Sequence, residues 1–321
     1  MTDSYGNYYI IEELGRGGFG AVYKAKNKQG EIVALKTMIP EIGTNLREEN
    51  TQRFQREIKI LEALYHPNIV NFLDRGITVD NEYYFVMEYC NGGSVADLIE
   101  SNSNKCLSIQ ESLQIINQVL DGLIVTHEIG IHRDIKPGNI VLNYDYQLNK
   151  KLDKSKPPQA KLTDYGLAKA FESSGLSSAG LKTPTIKIET DDKSDNANYK
   201  ASELPGSHGF MSRQQIRDFK YAKPFVDIWA MAATLYYMLT GCYPRDFSNA
   251  SNELQIVEVI RKQPPISIET RIKEKNLSIP EEFNDVLQII NNALNESSKP
   301  HYQTATLFQA ALKQAMPREL N

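Results

Sequence analysis

The stretch IHRDIKPGNIVL, residues 131–142, decides how the rest of this sequence is interpreted. Asp134, then Lys136, then Asn139 stand between an apolar helical pattern and an immediate return to Ile-Val-Leu. If the segment is a tight loop that leads into a strand, the three side chains can point at one spot. Such a spot suits the deprotonation of a hydroxyl, the neutralisation of a phosphate and the binding of a metal ion.

Length, charge and cysteine usage narrow the class of protein. The 321 residues suit one large domain or two fused lobes. The net charge of -4 gives no reason to expect nucleic acid or an anionic membrane as a partner. Cys90, Cys106 and Cys242 have no pairwise or CxxC spacing, which predicts a reducing, cytoplasmic setting without a disulfide framework or a zinc site.

The N-terminus and the longest apolar run bear on targeting and on insertion into a membrane. The N-terminus, MTDSYGNYYIIEELG, carries acidic residues and lacks the basic and apolar regions of a signal peptide. The longest apolar run, DIWAMAATLYYMLTG from Asp227, opens with a charge and is too short to span a bilayer. It predicts a buried helix, and we expect no insertion into a membrane.

The first part of the chain, residues 1–90, has the texture of short strands. YYIIEELG, GAVYKAKN, EIVALKTM and YYFVMEY are rich in Val, Ile and Tyr and are separated by Gly or polar turns. One helix interrupts them: in TQRFQREIKILEALYHP, from Thr51, apolar residues recur at three- and four-residue steps until Pro67 ends the pattern.

From residue 91 the pattern becomes helical. Ser108 and Glu111 form a capping-box signature before an apolar helical stripe. Further helices are predicted at 225–240, 280–294 and 304–315. The sequence therefore predicts an α+β protein with a small β-rich lobe, residues 1–90, and a larger, mostly helical lobe, residues 91–321.

Two segments fit neither lobe. Residues 144–160 and 171–205 are polar, and they show almost no apolar periodicity. We expect both to be mobile surface insertions.

A glycine-rich pattern lies near the N-terminus. GRGGFGAV places Gly15, Gly17 and Gly20 between two strand patterns, followed by Val22. Glycines let the backbone approach a phosphate and donate N–H groups to it. Alone the pattern is weak, because a Gly-rich hairpin is often only a turn. Its setting between strands argues against a dinucleotide-binding fold, in which the loop opens a helix.

Two charged residues, Lys36 and Glu57, are best explained as an ion pair. Lys36 lies in a strand pattern, where a lysine is normally solvated, and Glu57 lies within the apolar stripe of the following helix. A buried carboxylate is costly unless it is paired. An ion pair between Lys36 and Glu57 would explain both positions and would direct the ammonium at bound phosphates.

LTDYGLAK places Asp164 directly after a short strand pattern. An aspartate in a β-turn is common and by itself needs no function. Together with Asn139, however, Asp164 supplies two oxygen ligands of the kind that hold Mg²⁺ while phosphate oxygens complete its coordination.

These motifs, with HPNIV, FVMEYCNGG and VDIWA, follow one another in an order that resembles the eukaryotic-like serine/threonine protein kinases over nearly the whole chain. SRQQ, at Ser212, looks more like bacterial members of that family. The resemblance implies a bilobal protein-kinase fold. It also implies transfer of the γ-phosphate of ATP to Ser or Thr hydroxyls of protein substrates, with ATP and Mg²⁺ or Mn²⁺ as cofactors.

The resemblance implies an ATP site in which glycines cover the phosphates, apolar side chains pack on the adenine, and a gatekeeper and hinge bind its edge. These residues are Gly15, Gly17 and Gly20 at the phosphates, Val22 and Ala34 at the adenine, Met87 as gatekeeper, and Glu88, Tyr89 and Cys90 in the hinge. Lys36, held by Glu57, would contact the α- and β-phosphates.

The resemblance also implies the catalytic roles. Asp134 would be the base that accepts the proton of the substrate hydroxyl, and Lys136 would neutralise the transferring phosphoryl group. Asn139 and Asp164 would hold the metal. Lys136 is the form that this family shows for Ser and Thr acceptors, and Ser207 matches the position that contacts the aspartate and the lysine in such members.

Acceptor preference and regulation follow from other matched positions. Ser94 and Gly138 stand where members that select Arg carry acidic residues, so no strong preference for Arg is expected. The activation segment, residues 164–214, is unusually long and rich in Ser and Thr. Autophosphorylation within it, in trans through self-association, would order it through Arg133, beside the catalytic base.

The chain departs from the family's pattern in two places. Tyr165 replaces the usual Phe after the metal-binding aspartate and would still pack in the family's regulatory stack, whose other members are Leu61, Phe72 and His132. The family's Ala-Pro-Glu is Ser212, Arg213 and Gln214, and the arginine that normally pairs with that glutamate is replaced by His301. This predicts a neutral hydrogen bond between Gln214 and His301 in place of the ion pair.

Two other functions stay open. A pseudokinase scaffold would lack at least one catalytic group, whereas Lys36, Glu57, Asp134, Asn139 and Asp164 are all present. A small-molecule phosphotransferase of related fold is disfavoured by the complete Gly-rich loop, by His-Arg-Asp in place of His-Gly-Asp, and by the long activation segment.

Overall fold

The structure of the chain is a computed structural model that describes residues 4–17, 20–38, 44–78, 82–144, 157–165, 169–170, 206–217, 222–296 and 300–317. The two predicted insertions, residues 144–160 and 171–205, lie mostly or wholly outside these ranges, so their mobility stays a prediction. The same holds for most of the activation segment.

The N-terminal strands form a six-stranded antiparallel sheet in the order β1-β2-β3-β4-β6-β5. The strands are β1 (Ser4–Tyr5), β2 (Tyr8–Gly17), β3 (Gly20–Lys26), β4 (Ile32–Met38), β5 (Phe72–Ile77) and β6 (Tyr83–Glu88). The four strands predicted from Val, Ile and Tyr content are confirmed. Strand β5, FLDRGI, lies at the sheet edge and is largely exposed. It was not predicted because its charged residues interrupt the apolar pattern of a strand.

One helix, α1 (Thr44–Ala63), packs against this sheet. Phe54, Ile58 and Leu61 form its buried stripe, as the sequence predicts. The helix begins at Thr44, whereas the sequence pattern predicts a start at Thr51. Its first turns were missed because their polar residues carry no apolar periodicity.

The rest of the chain is mostly helical. Its helices are α2 (Val95–Ser101), α3 (Ile109–Ile129), α4 (Arg213–Arg217), α5 (Phe225–Thr240), α6 (Glu253–Lys262), α7 (Ile268–Glu274), α8 (Asn284–Leu294) and α9 (Ala305–Ala315). The predicted helices at 225–240 and 304–315 are confirmed, and the one at 280–294 is a 3-10 turn, Glu281–Phe283, followed by α8. Helices α2, α4, α6 and α7 were not predicted individually.

Helix α5 is the centre of the second lobe, because almost every one of its residues is buried. It ends at Gly241, whose φ of 65° is a left-handed cap that glycine adopts at little cost. Helix α3 packs against α5 and begins where Ser108 accepts a hydrogen bond from the Glu111 N–H at 3.2 Å.

Two short antiparallel ladders follow α3 in the second lobe. Strand β7 (Gly130–Ile131) pairs with β10 (Lys169–Ala170), and β8 (Ile140–Asn143) pairs with β9 (Gln159–Leu162). The stretch 131–142 therefore runs from the end of α3 through a loop and a 3-10 turn into β8, as predicted. The predicted two-lobed α+β architecture is confirmed, and residue 90 falls between β6 and α2.

Residues 64–71, which lead from α1 to β5, attach the first lobe to the second. Asn68 donates from Nδ2 to the Ala160 carbonyl at 2.8 Å, and its own carbonyl accepts from Leu162 N at 2.9 Å. Val70 N donates to the Leu162 carbonyl at 3.0 Å.

No helix in the described part of the chain has the length and hydrophobicity needed to cross a lipid bilayer.

Candidate active site

Asp134 lies among short hydrogen bonds in the loop between α3 and β8. Lys136 Nζ donates to Asp134 Oδ2 at 2.8 Å, and Asn139 Nδ2 donates to the same oxygen and to the Asp134 carbonyl, each at 2.8 Å. None of these bonds uses Oδ1 of Asp134, so Oδ1 is the oxygen that can accept a proton from an incoming hydroxyl. Lys136 also donates to Ser207 Oγ at 2.6 Å. The structure thus brings these four predicted residues together.

Asp227, in α5, fixes the backbone just before Asp134. Its carboxylate accepts from His132 N at 2.8 Å and from Arg133 N at 2.7 Å, and His127 Nε2 lies 2.9 Å from Oδ2. Burial raises the pKa of Asp227, but the hydrogen bond and charge of His127 more than offset this and hold the pKa below its ordinary value. The ionised carboxylate therefore holds two consecutive N–H groups of the loop.

Arg133 has a left-handed backbone, with φ of 67°, which a residue with a side chain seldom adopts. Its carbonyl accepts a hydrogen bond from Gln215 Nε2 at 2.7 Å, and Gln215 is itself buried in α4. The strained residue next to Asp134 is therefore held on both sides, by Asp227 at its N–H and by Gln215 at its carbonyl. The Arg133 side chain is buried as well.

The ion pair predicted between Lys36 and Glu57 is present. Lys36 Nζ lies 2.7 and 2.9 Å from the two carboxylate oxygens of Glu57 and 2.9 Å from Asp164 Oδ1. The structure therefore joins strand β4, helix α1 and the loop after β9 through one ammonium. Because Phe85 and Val22 flank Lys36 across the sheet, its chain has little room to point elsewhere.

The two acidic partners of Lys36 have different pKa values. Burial raises the pKa of Glu57 to about 7, although the charge of Lys36 acts in the opposite direction. Burial would also raise the pKa of Asp164, but the charge and hydrogen bond of Lys36 outweigh it and lower the pKa to about 2. Asp164 therefore stays ionised at neutral pH, as a metal ligand must be.

The residues at this point fit a magnesium ion. Asn139 uses both of its described amide hydrogen bonds on Asp134, which leaves its Oδ1 oxygen to face a cation. Among the described residues, no cluster of three or more His, Cys, Asp or Glu side chains would hold a metal by itself. One carboxylate and one amide oxygen suit an ion that takes its remaining ligands from phosphates and water.

The glycines of GRGGFGAV lie in the β2–β3 hairpin, where Gly15 pairs with Val22 and Gly17 with Gly20. Gly18 and Phe19 lie outside the described residues. A Cβ at Gly20 would lie 2.4 Å from the Thr37 carbonyl, so only glycine fits there. A Cβ at Gly15 would meet nothing within 4 Å, so its backbone is open to a ligand.

The residues predicted to bind adenine lie on neighbouring strands. Ala34 is paired with Met87 across β4 and β6, and both are buried. Glu88, at the end of β6, accepts a hydrogen bond from Lys161 Nζ at 2.8 Å, and this bond connects it to β9. Cys90 follows, half-buried with a free thiol, and burial raises its pKa to about 12. The predicted hinge therefore connects the two lobes beside an additional ion pair.

Tyr165 occupies the predicted aromatic position and makes a contact that was not predicted. Its ring centroid lies 4.5 Å from that of His132, and it shares the core cluster of Leu61 and Phe72. Its hydroxyl lies 2.8 Å from Thr126 Oγ1, in α3. Burial raises the pKa of Tyr165, so its hydroxyl keeps its proton.

The prediction that Gln214 bonds His301 is wrong. His301 is exposed and contacts Tyr302, and none of the hydrogen bonds of the described residues joins it to Gln214. A buried ion pair exists nearby, between Arg245 Nη2 and Glu296 Oε2 at 2.6 Å. The charges come from the loops after α5 and after α8 instead of from the positions that the sequence pattern suggested.

Glu296 also holds the segment that precedes α4. Its Oε1 accepts a hydrogen bond from Arg213 N at 2.5 Å, and Arg245 Nη1 donates to the Met211 carbonyl at 3.2 Å. The guanidinium of Arg245 lies 4.8 Å above the Trp229 ring. This group therefore fixes the backbone on the C-terminal side of Ser207.

Four residues of the site were missed by sequence reasoning: Asp227 as a loop anchor, Gln215, Thr126 and Glu296. Asp227 sits in the apolar run, where a lone carboxylate was a signal that something nearby needed its charge. Gln215, Thr126 and Glu296 act through tertiary contacts that leave no local pattern. Together the site presents a proton acceptor, two ammonium groups and two cation ligands facing one cleft, which suits transfer of a phosphoryl group to a hydroxyl.

Comparison with known families gives a match to the protein kinase domain over residues 8–309. A probable serine/threonine-protein kinase of Clostridium perfringens is 30% identical over 302 residues, which cover 93% of this chain and 36% of that protein. The serine/threonine-protein kinase cds1 of Schizosaccharomyces pombe is 31% identical over 296 residues, which cover 88% of this chain and 55% of the yeast protein.

A further bacterial relative is the probable serine/threonine-protein kinase pknA2 of Bifidobacterium longum, 30% identical over 247 residues that cover 76% of this chain and 28% of the relative. The chain thus spans between 28% and 55% of the length of these three relatives.

Proposed function

This chain belongs to the protein kinase family, and from that premise we propose that it transfers the γ-phosphate of ATP to serine and threonine hydroxyls of proteins. The proposal is supported most directly by one observation. Lys36, Glu57 and Asp164 form a connected ion-pair group, and Asp134, Lys136 and Asn139 form a connected hydrogen-bond group. A protein that only bound a partner would have no use for both.

Each side chain has a task in such a transfer. Asp134 accepts the hydroxyl proton at Oδ1 as the acceptor oxygen bonds to the γ-phosphorus and the bond from that phosphorus to the departing ADP breaks. Lys136, 2.8 Å from Asp134, offsets negative charge on the transferring phosphoryl group. Lys36 binds the α- and β-phosphates and is aimed by Glu57. Asp164 and Asn139 would hold Mg²⁺, which would neutralise negative charge on the phosphates.

The acceptor is proposed to be Ser or Thr. Lys136 and Ser207 are hydrogen-bonded at 2.6 Å, so the segment that receives the substrate is tied to the catalytic loop close to Asp134. Such a tie places the acceptor hydroxyl of a short side chain near the base. We expect peptides with Ser or Thr to be phosphorylated and the same peptides with Tyr to remain unmodified.

Regulation by autophosphorylation is part of the proposal. The activation segment 164–214 carries many Ser and Thr residues, and self-association would let one copy modify another. Arg133 would be the cation that a phosphorylated segment meets. The prediction that no strong preference for Arg exists, based on Ser94 and Gly138, belongs to the same proposal.

The test is transfer of radiolabelled phosphate from ATP with Mg²⁺, to the chain itself and to a generic Ser/Thr substrate. Asp134→Asn and Lys36→Met should each abolish transfer, because they remove the proton acceptor and the phosphate-binding ammonium. Asp285→Asn and Lys275→Met, the same changes at exposed positions, should leave it intact. Mass spectrometry of the labelled chain would then locate the modified residues.

A scaffold that binds nucleotide without transferring phosphate gives a different result. It would bind Mg²⁺ and ATP, yet show no transfer to any substrate even after treatment with an activating kinase. Equal phosphorylation of the wild-type chain and Asp134→Asn would contradict autophosphorylation, because the label would then come from another enzyme.

A further inference from the structure

The hydroxyl groups of Thr126 and Tyr165 form a buried chain of hydrogen bonds behind the site. Thr126 Oγ1 donates to the Gly122 carbonyl at 3.0 Å, which uses its only proton. The contact of 2.8 Å between Thr126 Oγ1 and the Tyr165 hydroxyl must therefore have Tyr165 as the donor. The direction runs from Tyr165 through Thr126 to the backbone of α3.

The residue beside Tyr165 is strained. Asp164 has φ of 64°, in the left-handed region that residues with a side chain seldom adopt. Such a conformation persists only where the surroundings fix it. Lys36 holds the Asp164 carboxylate at 2.9 Å, but that bond fixes only the side chain.

Tyr165 restrains the backbone next to Asp164. Its ring is fully buried, and its centroid lies 4.5 Å from that of His132. If Tyr165 turned out of this position, its hydroxyl would lose the contact with Thr126. Asp164 would turn with it, because the two residues are adjacent.

We propose that Thr126, through its hydrogen bond to Tyr165, is a positioning residue that sets Asp164 for metal binding. The inference rests on the proposed function, since it assigns to Thr126 the positioning of a metal ligand in the same site. Thr126 itself would contact neither nucleotide nor metal. It acts on Asp164 through the neighbouring tyrosine, as an outer residue does when it orients a ligand.

Four variants separate the hydroxyl pair from simple packing. Thr126→Val removes one hydroxyl and keeps the shape, Thr126→Ser keeps the hydroxyl, and Tyr165→Phe removes the other hydroxyl. The fourth variant combines Thr126→Val with Tyr165→Phe. The readout is the affinity for Mn²⁺, followed by electron paramagnetic resonance in the presence of a saturating non-hydrolysable ATP analogue. Thermal unfolding is recorded in parallel.

We expect Thr126→Val to weaken Mn²⁺ binding about tenfold, because the Tyr165 hydroxyl is left buried without a partner and the tyrosine shifts. Thr126→Ser should stay within about twofold of wild type. The combined variant should bind Mn²⁺ better than Thr126→Val and as well as Tyr165→Phe, since no hydroxyl is then left without a partner. The half-saturating Mg²⁺ concentration for phosphate transfer should follow the same order.

Two results would overturn the inference alone. One is wild-type Mn²⁺ affinity in Thr126→Val, even with a lower Tm, because the pair would then serve only the core. The other is no recovery in the combined variant, which would assign the effect to repacking of the methyl groups. Failure of the wild-type chain to bind Mn²⁺ with the ATP analogue would instead contradict the proposed function, and this inference with it.

Discussion

At the scale of single residues, Glu57 is a carboxylate of the site whose ionisation changes near neutral pH. It is buried, and burial raises its pKa from 4.5 to about 7. A raised carboxylate pKa means that the contribution of Glu57 to folding stability is present below its ordinary pKa and is lost as pH rises through about 7. Its contribution to activity has the opposite direction, because only the ionised form holds Lys36.

We therefore predict that the activity of the wild-type chain, divided by that of Glu57→Gln, rises with pH through about 7 and then levels off. Phosphate transfer at fixed substrate concentrations gives both values. Taking the ratio removes the titration of ATP and of the other groups that the two chains share. A ratio that is constant between about pH 6 and about pH 8 would contradict the assignment of this pKa.

The sequence could predict the single residues whose chemistry forces a partner. Lys36 in a strand and Glu57 in an apolar stripe each carried a cost that only the other could remove, and the structure joins them. Thr126 and Gln215 could not be predicted this way. A threonine in a helix or a glutamine after a turn is ordinary, and its partner is decided by tertiary packing.

At the scale of elements, the buried pair of Arg245 and Glu296 joins the loop after α5 to the loop after α8. The Arg245 side chain is 0% exposed and that of Glu296 is 11% exposed. Removing one partner of such a pair leaves a charge buried without a counter-ion, which costs far more than the pair itself contributes. The loops that meet here also support the segment around Met211.

We predict that Glu296→Gln lowers the free energy of unfolding by about 3 kcal/mol, with a Tm several degrees below wild type. The matched control is Glu274→Gln. Its ion pair with Arg271 has a distance of 2.7 Å, but the Glu274 side chain is 49% exposed. We expect the control to change stability by less than about 1 kcal/mol. Equal losses of Tm in the two variants would refute a buried role for Glu296.

Elements with a strong hydrophobic period could be predicted, and elements on the surface could not. Helix α5 was evident because nearly all its residues are buried, and α3 because its apolar stripe follows a capping serine. Helices α6 and α7 have short patterns, and β5 is a largely exposed edge strand. The placement of Glu296 depends on how α8 ends, which no local pattern records.

At the scale of the whole molecule, two stretches of backbone connect the lobes. The chain passes from β6 to α2 through residues 88–94, and residues 64–71 attach to β9 through Asn68 and Val70. Helix α3 passes directly beneath the second attachment. A Cβ at Gly122, in α3, would lie 2.6 Å from the Asn68 carbonyl. The close approach of the two lobes at this point therefore requires glycine.

We predict that Gly122→Ala destabilises the chain, although the same change in the interior of a helix usually adds about 1 kcal/mol of stability. The extra methyl group has to displace residues 64–71 from β9. Hydrogen exchange at Val70 N and Leu162 N should become faster, and the Tm should fall. Gln114→Ala, at an exposed position of the same helix, should leave both unchanged. A higher Tm in Gly122→Ala would show that the contact yields without cost.

The two-lobed order of the fold could be predicted because strand patterns end, and helical patterns begin, at one place in the sequence. The way the lobes attach could not, because residues 64–71 read as a plain connection. Their hydrogen bonds go to β9, about ninety residues later in the chain, as with Asn68 and Ala160 at a separation of 92 residues.

Two backbone connections between the lobes, residues 88–94 and residues 64–71, define a line, and rotation about that line is the motion that these connections would resist least. The ion pair of Lys36 with Asp164 and the packing of Tyr165 with Leu61 and Phe72 also join the two lobes and would oppose that rotation. We therefore expect any opening of the cleft to require the Lys36 ammonium to leave Asp164.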